Sequence, residues 1–453
     1  MIVILYIMDS LRADFLSCYG CPQETSPNID SLARESVLFL DAFSQSTWTR
    51  ASGASILTST YPSAHGILNT GDYFPLSIDS LPAVLQRRGF RTFAITTMRN
   101  ISPHFGFGDG FDQFIEVYRN EKLAGKRILR SEENGLPVCT SEDINTVLFP
   151  ILEECGKRDT FVFIWSLDTH DPYFHRDERL AHFSPPSTEL VWARQIVNLN
   201  DPRDVERLKL LYKDMIFHND HHLGNLIQKL KEVDLFEQTF LILTSDHGEA
   251  FGEHGANSHG GLPYEELIRI PLIFKFPRGD FRGRVPGMVQ HIDLAPTILD
   301  SISSSPYGSF AQGKSALPLL RTGTKINDFA VIETQVFAGL AKSSALRTDE
   351  FKYIEIRRAE SPSRKWFRGG KGLWPFHWFE RTPRLLFSLK DDPGEKQSLV
   401  GSHPRVAKGL SSTLSRVLKE NEVFRKGLVR SREKPCGVDP EVAEQLKALG
   451  YFE

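Results

Sequence analysis

Seven consecutive apolar residues, Ile2–Met8, run straight into Asp9 at the start of the chain. A run with no polar alternation fits a strand buried on both faces, as in parallel sheets covered by helices. Similar runs recur, separated by segments of helical spacing. The pattern predicts helices over residues 26–37, 81–88, 143–155 and 202–233, with Pro27 pre-set for the first turn of the first one. It predicts strands over residues 91–97, 161–167, 240–244 and 272–276, then a helix from Asp293 to about residue 303. Alternation of this kind implies an α/β fold: a doubly wound, mostly parallel sheet flanked by helices. Such sheets bind ligands beyond the carboxyl ends of their strands.

The texture changes after about residue 305. A Ser, Gly and Pro-rich stretch leads into short strand-like segments near residues 330–334, 344–348, 351–356 and 385–389, and a helical pattern follows over 404–418. We read residues 1–305 as the catalytic α/β core and 306–453 as a smaller α+β subdomain with an antiparallel sheet. Within it, residues 357–384 hold eight Lys or Arg against two Glu, and three tryptophans, Trp366, Trp374 and Trp378. The expectation is that this insertion lies over the mouth of the site and contacts an anionic substrate, with a nucleic-acid stacking platform or a plain solvated loop as the other readings.

Charge and cysteine usage narrow the function classes. The 54 Lys and Arg nearly balance 57 Asp and Glu, leaving −3 at pH 7, so no global field draws the chain to nucleic acid. The opening apolar run is far short of the ~20 residues of a membrane span, and it lacks the basic segment and cleavage site of a signal peptide. These features predict a cytoplasmic protein without a membrane span. Five cysteines, Cys18, Cys21, Cys139, Cys155 and Cys436, are too sparse and odd in number for a disulfide framework. Cys18-x-x-Cys21 has no second pair to complete a metal site and reads as part of a turn.

The chemistry gathers at strand ends. Asp9 follows the first strand, with Asp14 nearby; Asp246 and His247 follow the strand at 240–244. A parallel sheet delivers these positions to one edge, where two carboxylates and an imidazole make a site for one divalent cation. A third segment, from Trp48 to Thr58, runs from a loop into a helix and carries Thr49, Arg50 and several hydroxyls.

In order, these pieces resemble the sulfatase branch of the alkaline phosphatase superfamily. Asp9 to Asp14 with Tyr19-Gly20, the helix opening Ser26-Pro27-Asn28-Ile29-Asp30, and Thr49 to Pro62 with His65-Gly66 are similar to its early motifs. Asp168-Thr169-His170-Asp171-Pro172-Tyr173, then Ser245-Asp246-His247-Gly248 with Gly252-Glu253-His254-Gly255, resemble its later ones, and Asp391 to Glu395 matches a turn of its C-terminal subdomain. The resemblance implies Asp9, Asp246, His247 and Thr49 as ligands of one divalent ion (Mn, Zn, Mg or Ca), Thr49, His170 and His259 as catalytic groups, and Arg50 and His254 as contacts to the substrate anion.

Departures matter as much. Sulfatases mature a Cys or Ser in a C/S-x-P-x-R motif into formylglycine; here Thr49, Ala51 and Gly53 occupy the three defining positions. An unmodified Thr nucleophile resembles the phosphodiesterase and phospho-transfer branches instead. Met98-Arg99-Asn100 stands where a Lys-x-x-His motif is expected, Ser10 replaces a second metal-binding Asp, and His259 stands where many members have Lys. Asp220 is followed four residues later by Gly224, as in one-metal members, and His221 and His222 point away from Asp220 on a helix. The implied function is metal-dependent hydrolysis of a small sulfate, phosphate or phosphonate ester through a covalent Thr49 intermediate. A phosphoryl-group transferase using the same site, and an inactive binding protein of this fold, are the alternatives; self-association into a homo-oligomer stays open.

Overall fold

Strand β1 (Ile2–Met8) is buried along its whole length. Its side chains divide by parity: Val3, Leu5 and Ile7 enter one apolar cluster, while Ile2, Ile4, Tyr6 and Met8 enter another. That period of two is the signature of a strand with helices on both faces. The computed structural model describes residues 1–75, 77–120, 128–130, 135–137, 139–175, 177–187, 190–193, 198–199, 201–302, 311–336, 341–358 and 384–428.

Eight further strands join β1 in a mixed sheet. In chain order the strands are β2 (Val37–Phe43), β3 (Arg91–Thr96), β4 (Gln113–Glu116), a small hairpin of β5 (Ile128–Arg130) and β6 (Gly135–Pro137), β7 (Thr160–Ser166), β8 (Thr239–Thr244), the short pair β9 (Ala250–Phe251) and β10 (Asn257–Ser258), then β11 (Arg269–Ile270), β12 (Leu272–Lys275) and β13 (Gly283–Gln290). The large sheet has the order β11-β2-β12-β8-β1-β7-β3-β4, with β13 also paired to β2. Strands β8, β1, β7, β3 and β4 are mutually parallel, whereas β12 runs antiparallel between β2 and β8. The helices Pro27–Arg34, Ser141–Glu154 and Pro202–Glu232 cover one face, through residues such as Ile29, Ile144 and Leu211. Thr49–Thr58, Leu81–Arg87 and Leu294–Ser301 cover the other, through Ala54, Leu85 and Ile298. The architecture is the doubly wound α/β class expected.

Differences lie at the second strand. The helix expected over 26–37 stops at Arg34, and Val37 opens β2. Val37, Leu38 and Phe39 are all buried, because each face of β2 meets apolar neighbours. The carboxyl end of β2 reaches the same sheet edge as that of β1, and six residues later the chain enters the helix at Thr49.

A second, antiparallel sheet, β14 (Ala330–Val336), β15 (Ala341–Arg347), β16 (Phe351–Arg358) and β17 (Arg384–Ser388), packs one face on the helix Pro404–Gly427 through Val331, Leu346, Tyr353 and Leu414. Its other face meets Phe43, Tyr264 and Leu267 of the core through Ile332, Ala345 and Phe387. Nearly all of the basic, tryptophan-bearing insertion expected over 357–384, and Cys436, lie outside the described residues.

A buried charge network ties the two sheets together. Lys352, fully buried, meets Glu265 at 3.1 Å and Glu395 at 2.7 Å, and Arg347 reaches Glu265 at 3.4 Å. The Glu265 amide also donates to Glu395 at 2.7 Å. Removing the Lys352 cation alone leaves Glu265 with Arg347 but takes the counter-charge from the buried Glu395, where the loss of one partner outweighs the net worth of the pair. Lys352→Met should therefore lower unfolding stability by about 3–5 kcal/mol in urea titrations. A loss within about 1 kcal/mol, the range of exposed pairs, would show that the network is solvated.

Candidate active site

The carboxyl ends of β8, β1 and β7 lie side by side, and each contributes to one pocket. Asp9 leaves β1, Asp246 and His247 leave β8, and His170 follows β7 by four residues. Asp9, Asp246 and His247 each present a ligand-type atom within 4.8 Å of the other two, and all three are fully buried. Thr49, also fully buried, brings its hydroxyl to 3.4 Å from Nε2 of His247. It is the first residue of the helix Thr49–Thr58, whose amino end has no side-chain cap, so its N–H groups and dipole suit an anion.

The loops that present these groups are locked by hydrogen bonds. Trp165 Nε1 donates to Oδ2 of Asp9 at 2.8 Å, and the Thr169 hydroxyl donates to the Asp9 carbonyl. Ser10 has a left-handed backbone (φ 59°), uncommon for a residue with a Cβ. That conformation lets its amide donate to Oδ1 of Asp246 (2.9 Å) and its hydroxyl to Oδ1 of Asp9 (3.0 Å), so one residue joins both carboxylates. His247 Nδ1 is paired with the carbonyl of Gly248 at 2.8 Å, which turns Nε2 toward Thr49 and Asp246.

Electrostatics point to a cation. Burial, with the neighbouring Asp246 charge, raises the Asp9 carboxyl to about 8; burial raises Asp246 to about 7 and lowers His247. Oδ2 of Asp246 has no hydrogen-bond partner among the described residues, although it is buried and lies 3.1 Å from Nε2 of His247. Two buried carboxylates, an imidazole and a hydroxyl with an unsatisfied oxygen among them form a donor set that fits one hard or borderline divalent ion.

The other expected site residues are placed as follows. His170 and His259 both come to the cluster: the His259 ring lies 4.6 Å from that of His247 and 4.8 Å from that of His170, centroid to centroid. Arg50 is fully buried. Its guanidinium donates to the carbonyls of Thr70 (2.6 Å) and Asp72 (3.0 Å) and stacks 4.0 Å over Phe105. His254 stacks on Tyr264 and meets Glu266 Oε1 at 2.9 Å and the Glu395 carbonyl at 3.2 Å, beside the Lys352 network. Gly53, one turn below Thr49, is closely packed: a Cβ there would lie 2.7 Å from Ile101 and 3.4 Å from Phe107 and Trp165. Asp220 accepts from the amides of Asn28 (3.0 Å) and Ile29 (2.7 Å), anchoring the helix Pro27–Arg34, and a Cβ at Gly224 would lie 2.5 Å from the Asn28 side chain.

Three contributors escape a linear reading. Trp165 sits inside β7 and looks like ordinary core. Ser10 looks like a lost ligand. Glu249, fully buried two residues after His247, accepts from the Tyr173 hydroxyl at 2.9 Å and lies 3.4 Å from Nδ1 of His259. The one sequence signal for Glu249 is an acid inside a glycine-rich turn that follows a strand.

Comparison with known proteins gives the family. The profile of the Sulfatase family matches residues 2–303, and that of the N-sulphoglucosamine sulphohydrolase C-terminal region matches residues 252–361. An uncharacterized sulfatase, YidJ, of Escherichia coli is 25% identical over 390 residues, covering 77% of this chain and 78% of that protein. The N-acetylglucosamine-6-O-sulfatase of Bacteroides thetaiotaomicron is 23% identical over 438 residues, covering 78% of each. Among solved structures, the phosphonate monoester hydrolase of Agrobacterium radiobacter shares the fold with a TM-score of 0.67 at 18% identity, over 93% of this chain and 95% of that one. Among the described residues, no helix is long and apolar enough to cross a membrane. A fold with two carboxylates and an imidazole at one sheet edge, matched over two thirds of its length by one family profile, places the chain in the sulfatase family.

Proposed function

We propose that the chain hydrolyses sulfate, phosphate or phosphonate esters through a covalent ester on Thr49, with one divalent ion held by Asp9, Asp246, His247 and the Thr49 hydroxyl. The observation that carries this reading is the buried Thr49 hydroxyl beside His247 and the unsatisfied Asp246 oxygen. A bound cation would lower the hydroxyl pKa and neutralise charge on the transferring group. Thr49 then attacks sulfur or phosphorus in line, at the amino end of its helix; its hydroxyl proton passes to the histidine pair, His170 or His259, and the leaving alcohol, departing with the electrons of the broken ester bond, takes a proton from the same pair. Arg50, committed to the Thr70 and Asp72 carbonyls, supports the wall of the site, and His254 supports its link to the second sheet. Anchoring of Asp220 to the helix Pro27–Arg34, with no room for a side chain at Gly224, supports a single ion. We read residues 1–305 as the core and 306–453 as the subdomain, with the Sulfatase profile ending at residue 303 and the C-terminal-region profile bridging the two over 252–361.

The threonine favours phosphoryl chemistry within this class, since its methyl group blocks the aldehyde that formylglycine requires. A steady-state panel tests the reading: aryl sulfate, phosphate monoester, phosphate diester and phosphonate, each with Mn, Zn, Mg and Ca. We expect turnover with at least one metal, highest on a phosphorus ester. Strict preference for the aryl sulfate would reverse the ranking, and no turnover with any combination would sink the hydrolase reading.

A further inference from the structure

Glu249 lies behind the histidines, not among the ligands. Its Oε2 faces Nδ1 of His259 at 3.4 Å and accepts from the Tyr173 hydroxyl at 2.9 Å. Its backbone carbonyl accepts from Arg12 at 2.9 Å. Tyr173 is fixed in turn by ring contacts to Tyr212 (5.9 Å) and Phe251 (6.0 Å). Glu249 and Tyr173 are fully buried, so the carboxylate has little freedom to swing.

A carboxylate beside one imidazole nitrogen fixes the tautomer: the proton sits on Nδ1, and the lone pair of the neutral ring sits on Nε2. The same pairing orients the histidine of hydrolytic triads. The need for such a group follows from the nucleophile. An ester of a threonine side chain has no neighbouring hydroxyl to expel the acid group, so its release requires water at sulfur or phosphorus.

We propose that Glu249, steadied by Tyr173, is a positioning residue that holds His259 with Nε2 toward the group on Thr49, so that His259 accepts a proton from the water that hydrolyses the Thr49 ester. This deepens, and rests on, the reading of Thr49 given above. The water oxygen bonds to sulfur or phosphorus as the bond to Thr49 Oγ1 breaks, its electron pair staying on Oγ1. One water proton passes to Nε2 of His259 and is then returned to Oγ1, which restores the Thr49 hydroxyl and releases the inorganic acid or phosphonate.

The test separates formation of the ester from its breakdown. Glu249→Ala, Glu249→Gln and Tyr173→Phe are mixed with the best substrate of the panel, followed by stopped flow for the leaving group and by acid-quenched intact mass spectrometry for the adduct. Glu249→Ala should lower kcat by about 10²-fold, the scale of a mispositioned general base, while the first turnover slows far less and the Thr49 adduct accumulates. Glu249→Gln, whose amide oxygen still accepts from Nδ1, should recover much of kcat and shed the adduct, and Tyr173→Phe should show a weaker form of the Ala behaviour. A structural role would lower burst and adduct together in all three. That result, or a Glu249→Ala enzyme with unchanged kcat and no adduct, overturns the proposal while Thr49 stands. A burst that survives Thr49→Ala overturns the covalent reading and this inference with it.

Discussion

Thr49→Ala should leave a folded protein that has lost at least about 10³-fold in kcat/KM on the best substrate of the panel, because the proposed covalent route then lacks its nucleophile. The substitution removes a hydroxyl and a methyl but keeps the Cβ, and Thr49 has no side-chain capping role in its helix. Circular dichroism and the urea midpoint should therefore stay close to those of the parent. Thr49→Ser is the informative partner. It restores the hydroxyl beside His247 and should recover activity to within about tenfold of wild type, the residual loss reflecting a more mobile side chain. If Thr49→Ala keeps activity within tenfold, the hydroxyl is a bystander, and direct attack by water replaces the covalent route.

Asp246→Asn should abolish tight binding of the cation, with metal content by elemental analysis falling from about one per chain toward zero and activity falling by a factor comparable to that of Thr49→Ala. A less obvious outcome concerns the metal-free protein. Burial raises Asp246 to about 7 and Asp9 to about 8. A carboxyl whose folded pKa lies above its unfolded value near 4 contributes stability below that unfolded value and loses it as pH rises through the folded one. Chelator-treated wild type should therefore weaken between about pH 4 and 8 more steeply than chelator-treated Asp246→Asn. Adding metal should reverse the order, since saturating ligand stabilises only the chain that binds it, by about 2.7 kcal/mol at a hundred times Kd. Equal pH profiles for the two metal-free proteins would place Asp246 in contact with solvent.

Much of this cluster is legible in the sequence because Asp9, Asp246 and His247 sit immediately after strands. Asp9 closes a run of seven apolar residues, and Asp246 follows the strand Thr239–Thr244, so a parallel pairing of β1 and β8 brings the two together. What escapes is set by contacts between residues far apart in the chain. Glu249 finds Tyr173 across 76 positions, and Lys352 finds Glu395 across 43. Strand direction is equally silent: an apolar segment such as Leu272–Lys275 reads the same whether it runs with or against β8, and the structure has it antiparallel. Arg50 and His254 show a different limit. A cation beside Thr49 and an imidazole in a glycine turn invite the reading of substrate contacts, and the sequence is silent on the hydrogen bonds the structure gives them: Arg50 to the carbonyls of Thr70 and Asp72, His254 to Glu266 and the Glu395 carbonyl.

The packing around Gly53 bears on which side chains the helix of Thr49 can carry. An arginine at that position, as in the formylglycine motif, would have to enter space held by Ile101, Phe107 and Trp165. Trp165 is also the residue that steadies Asp9. Room for a long side chain at position 53 is therefore tied to the candidate site: an incoming arginine would push on the support of Asp9, and the walls at residues 101 and 107 would have to recede first.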